Sequence, residues 1–540
     1  MLALVALAVA GARAAGTSAS DTAAIDAVFA DYDKPGSPGC MLGVVHDGAL
    51  TYTRGYGRAS LEHDIAFSAD TIFDIGSTSK QFMASAILLL AADGRLALDD
   101  DVRKYVPELP EYSAPITIRH LLTHTSGLRD YITLMTLGGW QMEDVTTPAQ
   151  ALDVIRRQRA LDFPTGTEFA YSNTGYFLPS IIVERVSGKP LAAFARERIF
   201  QPAGMTATRY MDDHAAIVPK RATGYEPAEG GGFRVSLSNW EQLGDGAVQT
   251  SVNELVKWDS NFYAPKVGGP RLVSQLQEEG RLKNGEPIGY GLGLFVGTYR
   301  GLRTVRHGGS WAGYRAELLR FPDQRASVIV LCNLGTADPE ARASRVADIV
   351  LARRFTEPAP PPPTASGGDS RAVAAFAGVY WHAERLSVLR FVGHEGGLAI
   401  SSGGSPRPLA PTADGKYRVG TQELRYRFLQ GTPRRVERQS GDDAPVTFAE
   451  HAPWTPAPEA LDTFTGIYRS EELQTRWTIE RDGSSLVVRD LRRPSRMLRP
   501  ALDGVFTADG FVVVFDRRES RPRSFVVGAG RARGMTFVRE

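Results

Sequence analysis

Ser77-Thr78-Ser79-Lys80 places a hydroxyl and an amine three residues apart. The segment after it, Gln81-Phe82-Met83-Ala84-Ser85-Ala86-Ile87-Leu88-Leu89-Leu90, is a strong helix former, and Asp74 and Gly76 ahead of it are turn residues. On a helix this spacing puts Ser77 and Lys80 on one face, where the amine reaches the hydroxyl and the helix N-terminus adds free N–H groups and positive potential. A serine hydroxyl needs such help to become a nucleophile. In a Ser–Lys dyad the amine is the base, once desolvation or a cationic neighbour lowers its pKa. Chance supplies Ser-x-x-Lys matches in long chains, but none of the other eight lysines here has Ser three residues before it.

Two further groups suit the same chemistry. Tyr171-Ser172-Asn173 follows Phe163-Pro164-Thr165-Gly166-Thr167, a Pro/Gly turn that would present the triplet on a loop. A phenol near a lysine ammonium is expected to have a depressed pKa and to accept or relay the nucleophile's proton. The Asn amide would orient Lys80 and hold a substrate carbonyl. His307-Gly308-Gly309-Ser310 comes just beyond a predicted strand, and its glycines would let a substrate backbone approach closely.

The elements that must position these residues come from 540 residues of ordinary globular composition, 43% hydrophobic and 23% charged, which excludes disordered and fibrous classes. A formal charge of +1 offers no global electrostatic reason to bind nucleic acid or an anionic membrane. Cys40 and Cys332 are too few for a disulfide framework or a Cys-rich metal site. Both lie in apolar, strand-like runs, so two buried thiols are expected in preference to a bridge. The run Leu2 to Ala12 followed by Ala12-Arg13-Ala14 has the form of a signal segment with a small-x-small cleavage site, although a positively charged start is missing; residues 1–14 are read as a signal peptide and the protein as periplasmic or secreted. No other long apolar stretch predicts a membrane span.

Residues 20–355 alternate strand-like runs with amphipathic helical stretches, and strand patterns dominate after Arg371. Between them, 356–370 is a Pro/Gly linker. Phe376-Ala377-Gly378-Val379-Tyr380 and Phe464-Thr465-Gly466-Ile467-Tyr468 echo each other, and Pro453, Pro456 and Pro458 fall between them. Two similar β-domains are therefore expected, at 371–452 and 459–540, with one larger β-sandwich as the alternative.

With three motifs in this order, the chain resembles the penicillin-recognising serine hydrolases: class C β-lactamases, DD-peptidases, and related esterases and D-aminopeptidases. The likeness runs from about Gly39 to Leu334, through Leu121-Leu122-Thr123-His124-Thr125-Ser126-Gly127-Leu128, Gly244-Asp245-Gly246-Ala247 and Tyr290-Gly291-Leu292-Gly293. It implies an α+β, β-lactamase/transpeptidase-like domain, an antiparallel sheet flanked by helices plus a helical subdomain, with the site at their junction. It also implies Ser77 as nucleophile, Lys80 and Tyr171 as the proton-handling pair, Asn173 as their positioning partner, and His307 bonding the Tyr171 side and the substrate. The backbone N–H groups of Ser77 and Ser310 would form the oxyanion hole, and Gly308 and Gly309 would border the substrate.

Many relatives carry Lys where this chain has His307; a largely neutral histidine weakens any anchor for a penicillin or C-terminal carboxylate. The overall layout is most similar to D-aminopeptidases, in which a catalytic domain with His-x-Gly precedes two β-barrels and a loop of the last barrel shapes a pocket for a free amino terminus. Ser126-Gly127-Leu128-Arg129-Asp130-Tyr131 and Gly466-Ile467-Tyr468-Arg469-Ser470-Glu471-Glu472-Leu473 share that likeness. The equivalent loop is expected near Asp490 to Arg496, with Arg493 as a substrate contact. Its basic Arg492-Arg493-Pro494-Ser495-Arg496 would repel an ammonium, and a solvated basic turn is the competing reading.

The function expected is an acyl-enzyme serine hydrolase of amides or esters, D-aminopeptidase-like peptidase favoured, acting on a small molecule or short peptide. An esterase or β-lactamase is the alternative within the class, and a non-catalytic ligand-sensing or scaffold relative the alternative outside it. No cofactor or metal is expected: no Glu follows His120 to complete a metal motif with His124, and Gly289-Tyr290-Gly291-Leu292-Gly293 lacks the Lys-Ser/Thr of a phosphate loop. Tyr225 and Trp240 are candidates to line the pocket.

Overall fold

A computed structural model describes residues 19–358, 370–401, 406–412, 415–419, 424–440, 445–490, 492 and 494–540. The signal segment expected at 1–14, most of the Pro/Gly tract, and Arg493 lie outside the described residues.

The catalytic part is built on a six-stranded antiparallel sheet. Its strands are β1 (Cys40–His46), β2 (Ala49–Tyr56), β3 (Phe295–Tyr299), β4 (Leu302–Trp311), β5 (Tyr314–Phe321) and β6 (Ala326–Cys332), in the order β3-β4-β5-β6-β1-β2. The first and last strands in sequence are neighbours in this sheet and are apolar but for His46 and Ser327, because both sheet faces are covered. Cys40, Leu42 and Val44 face a core with α1 (Ala19–Val28) and the C-terminal helix Pro339–Val350, while Met41 and Val45 face the larger core on the other side.

That pairing corrects the expectation of two free thiols. Cys40 and Cys332, 292 residues apart, are directly opposite in the β1–β6 register and form a disulfide. Close cross-strand partners in an antiparallel pair bring the sulfurs together, and sequence separation conceals this.

On the larger-core side, α2 (Lys80–Ala92) is buried from Lys80 to Leu90, which is why it is apolar all round. Around it lie α3 (Tyr131–Leu137) and α4 (Thr174–Ser187).

Two closed eight-stranded antiparallel barrels follow, the first from the strand Gly378–His382 to Val446–His451, the second from Gly466–Ser470 to Ala532–Arg539. The two-domain expectation therefore holds over the single sandwich. The sequence echo has a physical origin: in each barrel the Tyr hydroxyl, Tyr380 or Tyr468, donates to the carbonyl of the Phe four residues earlier, Phe376 (3.0 Å) or Phe464 (2.9 Å), closing the entry to the first strand. The second barrel packs against the catalytic domain. Arg129, almost fully buried, reaches Glu472 of the barrel (3.0 Å) as well as Asp162 (3.5 Å), and the Arg533 amide donates to Asp162 (2.7 Å).

Candidate active site

Ser77 sits in a 3₁₀ turn, Gly76–Ser79, that runs directly into α2. Strand β4 pairs with β3 only as far as Arg306, so His307 to Trp311 keep a free edge, and the Ser77 turn packs there. Glycine is required at this contact. A Cβ on Gly309 would lie 1.9 Å from the Ile75 carbonyl oxygen, and one on Gly76, whose φ is +48°, would lie 2.7 Å from the Ser310 nitrogen. Gly309 of the third motif thus admits the protein's own Ser77 turn, whereas Gly308 backs onto the Glu317 side chain. Thr78 Oγ1 donates to the His307 carbonyl (3.0 Å), fastening turn to strand. Ser77 and Ser310 consequently both line a cavity of about 810 Å³.

Lys80 Nζ donates to Ser77 Oγ (3.1 Å), Asn173 Oδ1 (2.9 Å) and the Asp245 carbonyl (2.6 Å), using all three donors of an ammonium. Asn173 is held in turn by Asp130, whose Oδ2 accepts from both the Asn173 amide N–H (2.7 Å) and its side-chain Nδ2 (2.8 Å). With Nδ2 committed there, Oδ1 must face Lys80. Asp130 caps α3 through Thr133 N (2.9 Å), so a helix start doubles as the anchor of the Asn. His124, buried and at φ +56°, accepts from the Ser172 amide (3.1 Å) and so holds the centre of the Tyr171-Ser172-Asn173 loop. His120 is used in the capping box of helix Ile118–Leu122.

Burial pushes the Lys80 amine well below the ordinary lysine pKa, with the Asp245 carboxylate opposing and the Arg531 guanidinium reinforcing the shift. The Asp245 carboxyl is raised by burial against the pull of Lys80. Tyr131 donates to its Oδ2 (3.0 Å), while its Oδ1 is buried without a hydrogen-bond partner.

Two expectations change. The Tyr171 pKa is raised, not depressed: burial outweighs the help that Ser77 and Arg531 give to the phenolate, and its hydroxyl has no partner at full hydrogen-bond geometry. Lys80 Nζ lies 4.9 Å from the centre of the Tyr171 ring and makes no hydrogen bond to its hydroxyl. His307 does not bond Tyr171. Its Nε2 meets the Tyr290 hydroxyl (3.1 Å) and its Nδ1 the Gly308 carbonyl (2.6 Å), so the neutral Nδ1–H tautomer satisfies both. Burial lowers its pKa to about 3.

The cavity walls include Tyr131, Trp240, Trp311, Pro494 and Arg531 around Ser77. Trp240 lines it as expected, whereas Tyr225 is turned to Glu62 and the Leu61 amide (2.7 Å). The segment near Asp490 to Arg496 does reach the catalytic domain: the Arg492 carbonyl accepts from Gln141 (2.6 Å), and its guanidinium stacks 4.3 Å from the Trp140 ring. A second hairpin of the same barrel brings Arg531, which the sequence reading missed, to the same cavity as Pro494. Asp130 and the role of Asp245 were also missed. An Asp before a short helix is a legible N-cap signal, but nothing local ties it to Asn173, 43 residues on.

The family described as Beta-lactamase matches residues 25–352. A D-aminopeptidase of Cereibacter sphaeroides is 30% identical over 452 residues, 83% of each chain, and one of Brucella anthropi is 32% identical over 310 residues, 57% of this chain and 58% of its own. Among solved structures, an octameric penicillin-binding protein homologue from Pyrococcus abyssi covers 96% of this chain and 99% of its own at 20% identity and TM-score 0.55. A D-amino acid amidase from Ochrobactrum anthropi SV3 covers 62% of this chain and all of its own, at 24% identity and TM-score 0.52. Those two structures share the fold.

Proposed function

Because the chain belongs to the β-lactamase family of serine hydrolases, we propose that it acts as a D-aminopeptidase, releasing an N-terminal D-amino acid from short peptides or amides through an acyl-enzyme on Ser77. The observation that carries the assignment of roles is the donor count at Lys80. Two of its three partners, the Asn173 and Asp245 carbonyls, can only accept. A neutral Lys80 must spend its two N–H groups on them, which leaves its lone pair facing Ser77, the one partner with a proton to give. The proton moves from Ser77 Oγ to Lys80 Nζ as Oγ bonds to the scissile carbonyl carbon. The oxyanion falls to the Ser77 and Ser310 amides. The C–N bond then breaks as the proton passes to the leaving nitrogen, directly or by the Tyr171 hydroxyl, and water repeats the sequence to free the acid. A protonated Tyr171 suits a relay and leaves the role of base to Lys80.

The likeness to D-aminopeptidases over 83% of the chain supports the aminopeptidase reading over the esterase one. The test is turnover of D-alanine p-nitroanilide beside its L-enantiomer, p-nitrophenyl acetate and a chromogenic cephalosporin. The D-anilide is expected to be the preferred substrate; turnover of the acetate alone would favour an esterase.

With its pKa held down by burial, Lys80 loses its proton at a lower pH than an ordinary lysine, so kcat/KM is expected to rise with pH along a limb below the usual lysine range near 10. His307, at about 3, is neutral on both sides of that limb. A limb between pH 5 and 8 that disappears in His307→Gln would contradict this account.

We also propose export. It is supported by the apolar run ahead of Ala12-Arg13-Ala14 and by the Cys40–Cys332 disulfide, a bond that persists in oxidising compartments. Cell fractionation with N-terminal sequencing is expected to find a mature chain outside the cytoplasm, starting after Ala14; an uncleaved cytosolic chain with two alkylatable thiols would reject export.

A further inference from the structure

The third motif carries no cation, because His307 is neutral and both its ring nitrogens are occupied. A different cation stands at the site. Arg531, at the turn joining the strands Ser524–Ala529 and Ala532–Arg539, lines the cavity with Ser77 and lies with its guanidinium carbon 4.7 Å from the Tyr171 ring centre. Its carbonyl accepts from the Asp130 amide (2.9 Å), and Asp130 also holds Asn173, so the hairpin tip is registered to the catalytic machinery. Arg531 makes no ion pair among the described residues. Arg315, on the same cavity, is engaged by the Ala312 and Tyr314 carbonyls (2.8 and 2.7 Å) and lies 3.9 Å from Glu226.

From this geometry we infer that Arg531 receives the carboxylate of the departing residue, so that the preferred substrates are D-aminoacyl dipeptides with a free C-terminus. The inference rests on the aminopeptidase reading and narrows it. A group beside Tyr171 is beside the leaving nitrogen that Tyr171 serves, and in a dipeptide the carboxylate carbon is two bonds from that nitrogen. A guanidinium presents a planar pair of donors matched to a carboxylate. A guanidinium there would repel the substrate ammonium and suits the opposite end of the substrate.

The test measures release of D-alanine from D-alanyl-glycine and D-alanyl-glycinamide by the full chain and by Arg531→Gln and Arg531→Lys, with a melting curve for each. The wild type is expected to favour the acid in kcat/KM by about 10-fold, the ratio narrowing as salt is raised. Arg531→Gln should bring the ratio close to one, and Arg531→Lys should keep part of it. Equal cleavage of acid and amide by the wild type, or an unchanged ratio in a folded Arg531→Gln, overturns the inference and leaves the aminopeptidase reading standing. Cleavage of neither, with Ser77-dependent turnover of p-nitrophenyl acetate intact, overturns both.

Discussion

Ser77→Ala is expected to lower kcat/KM for every hydrolysed substrate by at least ~10⁴-fold, because removing the nucleophile leaves only binding and oxyanion stabilisation to act on water. The fold should survive. The Ser77 hydroxyl is bonded to Lys80, and in the variant Lys80 keeps its two carbonyl acceptors, Asn173 and Asp245, so no buried cation is stranded. Purified wild type and variant should therefore melt within a degree or two of each other while differing in p-nitroaniline release and in labelling by a serine-reactive phosphonate. An active, unlabelled Ser77→Ala protein would assign the chemistry elsewhere. An inactive, unlabelled wild type would favour the non-catalytic relative instead.

Asp259→Ala is expected to be the most destabilising of the single changes considered. Asp259 and Arg320 are both fully buried, their side chains at 0% exposure, between the helix Val252–Asn261 and strand β5. Asp259 Oδ1 accepts from Arg320 Nε (2.6 Å) and Ser327 Oγ (2.8 Å), and the guanidinium lies 3.6 Å from the Phe262 ring centre. Deleting the carboxylate leaves a cation out of reach of water, at a cost of about 3–5 kcal/mol. Thermal unfolding of the catalytic domain should shift down by on the order of 10 °C. The double variant Asp259→Leu/Arg320→Met should recover much of that loss, because it removes both desolvated charges. A single variant as stable as the wild type would show that water or another carboxylate reaches Arg320.

The pair also shows where sequence reading stops. Arg320 stands in an apolar strand, Leu318-Leu319-Arg320-Phe321, and Asp259 on a helix 61 residues earlier, and neither carries a local signal of the other. The same holds for Cys40 and Cys332, whose alignment depends on the first strand entering the sheet beside the last.

The sequence by itself determined the parts whose physics is local. Helix geometry brings Ser77 to Lys80, the loop chemistry around Pro164 and Gly166 precedes the Tyr171-Ser172-Asn173 triplet, and the repeated Phe-to-Tyr segments announced two β-domains because each Tyr bonds the chain only four residues back. Tertiary structure decided everything that depends on burial and on distant partners. It raised the Tyr171 pKa that proximity to a lysine had suggested would fall, turned His307 toward Tyr290, and spent Gly309 on the Ser77 turn. It also delivered Arg531, 360 residues on, to the Tyr171 ring. Charge state follows desolvation and field, which are sums over neighbours from the whole chain, and no spacing along the sequence encodes those sums.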